Sequence, residues 1–158
     1  MSQNHSKFMR EAIRLSRQHM QRNDGGPFGA IIARGNKIVG RGWNRVTSAN
    51  DPTAHAEVSA IRDACLKLKT FHLEGCVIYI NCEPCPMCLA AIYWARLDKI
   101  FYANSRKDAA RIEFDDDLIC REISLPVPRR KIPMKQLLRP EALKVFAEWQ
   151  SKPDKIGY

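Results

Sequence analysis

The sequence predicts one layered α/β domain around a mixed sheet. Its 158 residues are about the length of one ordinary domain, and its 45% of hydrophobic residues is enough for a core. The predicted elements follow in the order helix, hairpin, helix, strand, helix and strand, which is typical of layered α/β proteins. A hairpin pairs antiparallel, and a helix between two strands favours parallel pairing, so both kinds of pairing are expected in the sheet.

The first predicted helix covers residues 7–20, where apolar side chains recur on one face and arginines on the other. The Asp-Gly-Gly-Pro sequence at 24–27 ends this helix. Two apolar stretches follow at 28–33 and 37–43, and Gly35-Asn36 between them favours a tight turn. This part of the sequence therefore predicts a β-hairpin after the helix.

A polar loop at 44–51 leads to a second predicted helix, which begins at Pro52, is capped by Asp51 and reaches Leu68. The next predicted elements are a buried strand at 76–81, a helix at 86–96 and a second strand at 99–103. A proline-rich linker follows at 123–138, and a last helix begins at Pro140.

The net charge of +9 suggests a nucleic-acid partner at first sight, but its distribution weakens that interpretation. Residues 1–50 carry +7, residues 51–100 carry −1 and residues 101–158 carry +3, so the central region is neutral. A basic helix face exposed to solvent explains part of the N-terminal excess. We expect no nucleic-acid partner.

The longest uninterrupted apolar run, residues 88–95, is far shorter than the roughly 20 residues needed to span a bilayer. The first ten residues have no apolar core of the kind found in secretory signals. We therefore expect a cytoplasmic protein with no membrane partner.

Three of the six cysteines lie within seven residues, at Cys82, Cys85 and Cys88. A C-x-x-C pair can ligate zinc or form a redox dithiol, and His55 upstream favours zinc. One histidine and two thiolates are the three protein ligands of a catalytic zinc, which keeps its fourth position for water, whereas a structural zinc takes four.

Two C-x-x-C pairs overlap, and local helix geometry favours the second. Pro86 is suited to the first position of a helix, which makes Cys85 the N-cap and places Cys88 in the first turn. Both sulfurs then lie at the positive end of the helix dipole, where thiolates are favoured. We predict His55, Cys85 and Cys88 as the ligands, with Cys82 a small buried residue.

Glu57 follows His55 by two residues. Two residues apart on a helix do not share a face, but in the first turn both can reach a point just beyond the helix end. The alternative is an exposed helix glutamate. The pattern H-x-E followed by P-C-x-x-C, the signature of zinc deaminases, instead predicts that Glu57 is a general acid and base.

Longer blocks extend this pattern. The sequence resembles the cytidine/deoxycytidylate deaminase superfamily, and most closely its small bacterial guanine deaminases, over most of residues 6–122. The blocks that carry the resemblance are GGPFGA at 25–30, Asn44, NDPTAHAEV at 50–58, CEPCPMCL at 82–89, AIYWAR at 91–96 and FDD at 114–116.

The resemblance implies a three-layer α/β/α fold, one zinc ion per subunit and hydrolysis of guanine to xanthine and ammonia. Phe28 and Trp94 would enclose the purine, and Asn44 would hydrogen-bond it. Asp116 would contact the edge of the base or serve as a second proton carrier. Each of these roles has an alternative. Phe28 and Trp94 could be ordinary core residues, and residues 115–117 could be a charged segment exposed to solvent.

The resemblance also implies a homodimer that exchanges its C-terminal segments. Residues 1–122 would form the deaminase domain. Residues 123–158 would form an arm and a C-terminal helix that either belong to the same fold or are exchanged to the partner subunit. Residues 126–133 would be the crossing arm, and Tyr158 would help to close the partner's site, unless it is a disordered terminus.

Three positions or clusters depart from the family pattern. Glu113 and Ala90 stand where glycines are usual, and the basic cluster Arg129-Arg130-Lys131 has no counterpart. Glu113 is therefore a further candidate for the second proton carrier.

Three functions follow from these patterns. The first is a guanine deaminase, with a small purine base as its partner. The second is a deaminase of another aminated base or nucleoside, such as guanosine, cytosine or adenosine in tRNA. The third is a non-enzymatic zinc module, for which Cys82 would be the obvious fourth ligand.

Overall fold

A computed structural model describes residues 2–157, so the predicted substrate residue Tyr158 lies outside the described residues. The strands are β1 (Gly29–Arg34), β2 (Lys37–Trp43), β3 (Cys76–Cys82) and β4 (Lys99–Asn104). The helices are α1 (Ser2–Gln21), α2 (Val46–Ala49), α3 (Ala56–Leu68), α4 (Pro86–Trp94), α5 (Arg106–Ala110), α6 (Asp117–Ser124) and α7 (Arg139–Ser151), with a 3-10 turn at Val127–Arg129. Within the described range, no helix combines the length and apolarity that a membrane span requires.

The four strands form one sheet in the order β2-β1-β3-β4. Strand β1 pairs antiparallel with both β2 and β3, while β3 and β4, joined by α4, are parallel. The predicted hairpin and mixed sheet are confirmed. Gly35 in the hairpin turn has a φ of 57°, a left-handed conformation that glycine adopts without steric cost.

Helices cover both faces of the sheet. Ile31 in β1 packs with Phe8 of α1 on one face, whereas Ile32 packs with Ala60 of α3 on the other. Because successive side chains of a strand point to opposite faces, this central strand is buried on both sides. The predicted three-layer α/β/α arrangement is therefore confirmed.

The second predicted helix begins later than expected, at Ala56 rather than Pro52. Asp51 makes the hydrogen bond of an N-cap, since its Oδ1 accepts from the backbone N–H of Thr53 at 2.8 Å, but a turn follows it instead of a helix. In that turn the N–H of Ala54 donates to the carbonyl of Asp51 at 3.0 Å and the N–H of His55 to the carbonyl of Thr53 at 2.8 Å. That local turn keeps the chain out of helical conformation until His55, which becomes the residue before the first helical turn.

The chain divides after Asp116 into two compact units. The second unit contains α6, the 3-10 turn and α7, and none of its described residues is buried. Helix α6 runs through position 122, where the sequence predicted the end of the deaminase domain. Beyond Ser124 the predicted linker holds only the 3-10 turn, and the predicted last helix begins at Arg139.

Candidate active site

Two candidate residues lie at the start of α3. His55 is the N-cap, with an extended backbone (φ −69°, ψ 160°), and Glu57 is buried in the first turn. The helix starts against strand β2 at Gly42, where a Cβ would lie 2.1 Å from the carbonyl oxygen of Ala56. Glycine at this position therefore lets the histidine end of the helix pack directly on the sheet.

The two cysteines lie at the start of α4. Cys85 is the N-cap, Pro86 is the first helical residue, and Cys88 is fully buried within the first turn. A proline suits this position because the first backbone N–H groups of a helix have no partner within it. The local geometry predicted for these residues is therefore the one observed.

The structure brings His55, Cys85 and Cys88 together. Nδ1 of His55 lies 3.6 Å from Sγ of Cys85 and 3.4 Å from Sγ of Cys88, and the three ligand atoms lie within 4.8 Å of one another. Donors about 2.0–2.3 Å from one tetrahedral ion would be about 3.5–3.8 Å apart. Two sulfurs and one nitrogen at this spacing fit a zinc ion.

Cys82 is not part of this group in the described structure. Its Sγ lies 3.7 Å from the carbonyl oxygen of Ser105. Burial raises the pKa of Cys82 to about 11, so this thiol stays protonated at neutral pH. The donors that converge here are thus three, the number that leaves one tetrahedral position to a substrate or water.

The electrostatics of the group favour a thiolate. A hydrogen bond with Cys88, reinforced by one with His55, lowers the pKa of Cys85 to about 4 against the opposing effect of burial. The same hydrogen bond raises the pKa of Cys88, and the hydrogen bond with Cys85 raises the pKa of His55. The charged Cys85 is therefore stabilised by its two neighbours.

Glu57 lies in a different environment. It is only 6% exposed, and burial raises the pKa of its carboxyl group. A buried carboxylate holds a proton more readily than one in water. This property suits a side chain that takes and returns protons during a reaction. The alternative of an exposed helix glutamate is excluded.

Asn44 follows strand β2 and is buried. Its Oδ1 accepts hydrogen bonds from the backbone N–H groups of Gly26 at 3.1 Å and Val46 at 3.2 Å. A Cβ on Gly25 would lie 2.5 Å from the same oxygen. The glycine pair thus packs against the Asn44 side chain, whose orientation is set by its two donors.

Phe28 packs edge-to-face against Phe114, with ring centroids 4.8 Å apart and an interplanar angle of 88°. Buried Asn81 holds the backbone around Phe28, because it accepts a hydrogen bond from the N–H of Gly29 at 2.8 Å and donates one to the carbonyl of Pro27 at 2.9 Å. The sequence patterns did not single out Asn81, since an asparagine inside an apolar strand has no distinctive spacing.

Trp94 is the last residue of α4, and its side chain is 69% exposed, which argues against a core role within this chain. Among the described residues, the ring of Phe114 contacts Phe28. Glu113 has a φ of 70°, a left-handed backbone conformation that glycine adopts more readily than glutamate.

Asp116 is paired with Arg106. The guanidinium donates from Nε to Oδ1 of Asp116 at 2.8 Å, and its Nη2 lies 2.8 Å from the same oxygen in an ion pair. Oδ2 of Asp116 is buried and has no hydrogen-bond partner among the described residues. Sequence reasoning singled out Asp116 but missed Arg106, because ten residues and a helix separate them.

Comparison with known proteins places this site in a family. Residues 2–104 match the cytidine and deoxycytidylate deaminase zinc-binding region. The chain is 46% identical over 155 residues to the guanine deaminase of Bacillus subtilis, covering 98% of this chain and 99% of that protein. A crystal structure of guanine deaminase from Bacillus subtilis superposes with a TM-score of 0.95 over 98% of this chain and 99% of that chain.

A more distant relative is a tRNA-specific adenosine deaminase of Buchnera aphidicola, 32% identical over 145 residues and matching 91% of this chain and 92% of that protein. Within the described residues, the zinc-binding match includes the histidine and both cysteines that converge at the helix ends. The chain belongs to the zinc-dependent cytidine and deoxycytidylate deaminase family.

Proposed function

We propose that this protein is a guanine deaminase that hydrolyses guanine to xanthine and ammonia. The observation that carries the proposal is the convergence of His55, Cys85 and Cys88 beside the buried Glu57, in a chain that matches a guanine deaminase over almost its whole length. His55, Cys85 and Cys88 would hold one zinc ion per subunit. Zinc, when bound, lowers the pKa of a water molecule so that it can attack at neutral pH.

Glu57 moves the protons of the reaction. It takes the first proton of water as the oxygen forms a bond to C2 of guanine, and it delivers that proton to the neighbouring ring nitrogen N3. It then takes the second proton from the new C2 hydroxyl and delivers it to the departing amino group, so that the C2 carbonyl forms. The C2–N bond breaks and ammonia leaves. The raised pKa of Glu57, caused by its burial, supports this role because the carboxyl group must hold a proton between the two transfers.

Four side chains would position the base. Phe28 offers a ring held by Phe114 and Asn81, and Asn44 offers an amide whose orientation is set by backbone donors. Oδ2 of Asp116 is a buried acceptor that suits an N–H of the purine. Trp94 would stack on the opposite face of the base from Phe28.

A homodimer with exchanged C-terminal segments would complete the site. The described residues of α7 expose large apolar side chains, among them Val145 at 61% and Phe146 at 71%. Apolar surface of this kind marks an interaction surface in a stable protein. Residues 126–133 would be the crossing arm and would bring Tyr158 to the partner's site, with a small purine rather than a nucleic acid as the substrate.

Ammonia release from a panel of guanine, guanosine, cytosine, adenine and tRNA tests the proposed reaction. We expect zinc-loaded protein to turn over guanine, and Glu57→Gln to lose about 10²–10⁴-fold in kcat while keeping its zinc. A zinc-replete protein that leaves guanine intact would exclude the proposal.

The same panel distinguishes the other two functions. The likeness to a tRNA-specific adenosine deaminase favours inosine formation in tRNA as the second candidate, and that activity should weaken steeply with salt. A non-enzymatic zinc module would release ammonia from no member of the panel, with or without Glu57.

Size-exclusion chromatography with light scattering tests the dimer. Two inactive variants, Glu57→Gln and a chain truncated after residue 151, test the exchange. If Tyr158 acts in the partner's site, mixing the two chains under exchange conditions should restore part of the activity, whereas a monomer would restore none.

A further inference from the structure

The carboxylate of Asp116 is held from one side. A guanidinium that meets a carboxylate in a fork donates one N–H to each oxygen. Here both donors of Arg106, Nε and Nη2, converge on Oδ1 at 2.8 Å. The other oxygen, Oδ2, is buried and has no hydrogen-bond partner among the described residues. Because buried carboxylate oxygens are almost always paired in native structures, this oxygen points to a ligand.

Arg106 is itself fixed. It is the first residue of α5, which Ser105 and Asp108 cap reciprocally. The backbone N–H of Arg106 donates to Oε2 of Glu83 at 3.1 Å, and the N–H of Glu83 donates to the carbonyl of Asn104 at 2.8 Å. The guanidinium therefore extends from a helix end that is tied to the segment just before Cys85.

We propose that Arg106 is a positioning residue that sets the rotation of the Asp116 carboxylate and so presents Oδ2 to a ring N–H of the base. The inference rests on the proposed function. The terminal torsion of an aspartate is broad, so an unanchored carboxylate would sample many orientations. The hydrogen bond from Nε and the ion pair with Nη2, both on one oxygen, remove that freedom and leave the second oxygen for the substrate.

This arrangement selects a class of substrate. Guanine carries an N–H at N1, next to the carbon that bears its amino group, and that N–H can donate to Oδ2. Adenine carries an unprotonated nitrogen next to its amino-bearing carbon, and the lone pair of that nitrogen would face a carboxylate oxygen. Arg106 thus supports discrimination between the two bases through Asp116, without touching either.

A double-mutant cycle tests the inference. The variants are Arg106→Gln, Asp116→Asn and the pair, with Arg106→Lys as the conservative change. Arg111→Gln is the matched control, because Arg111 forms a comparable ion pair with Asp108 in the same segment at 2.9 Å but is largely exposed. We measure KM and kcat for guanine, zinc content, thermal stability, and the affinity for hypoxanthine, which keeps the N1–H and lacks the amino group.

Arg106→Gln should raise KM and weaken hypoxanthine binding at least about 10-fold, with zinc content unchanged and a loss of stability no larger than that of Arg111→Gln. In the Asp116→Asn background the same change should have less than about a 2-fold effect. Arg106→Lys should recover only part of the affinity, since an ammonium is a point charge without a rigid pair of donors.

Equal effects of Arg106→Gln with and without Asp116 would show a structural role and overturn the inference. Wild-type kinetics in Arg106→Gln would also overturn the inference. If the wild type turns over guanine in the same assay, the proposed function stands. A wild type that neither deaminates guanine nor binds hypoxanthine would overturn both.

Discussion

The contact between Gly42 and α3 gives the sharpest test of how packing positions the site. A Cβ on Gly42 would lie 2.1 Å from the carbonyl oxygen of Ala56 and 2.3 Å from the backbone nitrogen of Ala60. Because both are backbone atoms of a helix, no side-chain rotation can relieve the clash. In Gly42→Ala the first turn of α3 must retreat by about 1 Å to restore ordinary van der Waals contact.

This retreat has two expected costs. Overpacking typically destabilises a protein by about 1–3 kcal/mol, and in a chain of this size each kcal/mol lowers the melting temperature by about 2–4 °C. The same movement displaces His55, which directly precedes the first helical residue, from Cys85 and Cys88. A displacement of about 1 Å at a catalytic site can lower activity by about 10²-fold.

Gly40→Ala is the matched control. A Cβ on Gly40 would lie 2.6 Å from the carbonyl oxygen of Ala60, so this variant also overpacks α3, but one turn further from His55. Differential scanning calorimetry should show a comparable loss of stability in both variants. Zinc content and guanine turnover should fall much further in Gly42→Ala, and equal zinc content and activity in the two variants would refute the reasoning.

Two further predictions concern the ligands and the pH dependence of stability. Cys85→Ser should lose most of its zinc by elemental analysis, whereas Cys82→Ser should keep it, because the Cys82 thiol is not among the donors that converge with His55; zinc loss in both would mean that Cys82 is a ligand. The hydrogen bond from Arg14 holds the pKa of Glu11 below its ordinary value of 4.5, so this ion pair stabilises the fold above about pH 4.5 and the contribution is lost as the pH falls through the lowered value. Glu11→Gln should therefore unfold more easily at pH 7 by about 0.2–1 kcal/mol, with the difference narrowing as the pH falls below 4.5, and a difference that stays constant down to the acid-unfolding range would contradict this origin.

Local chemistry explains the parts of the fold that the sequence predicted well. The strands β1 to β4 and the helix start at Pro86 follow from apolar runs, glycine turns and a proline, all of which act within a few residues. The start of α3 was mispredicted, because Asp51-Pro52 looks like a helix start. Asp51 does form a cap-type hydrogen bond with the N–H of Thr53, but the backbone after it makes a turn whose N–H of His55 donates to Thr53. Local sequence rules cannot tell whether a capped turn continues as a helix.

The metal-binding residue types and their spacing can be read from the amino-acid sequence, since H-x-E and P-C-x-x-C each act at a single helix start. That these two helix starts meet, that Arg106 anchors one oxygen of Asp116, and that Phe114 supports Phe28 follow only from the folded chain. The physical reason is distance along the chain. His55 is 30 positions from Cys85, Phe28 is 86 positions from Phe114, and helix α5 lies between Arg106 and Asp116. These contacts depend on sheet order and helix packing, which no short pattern of residues encodes.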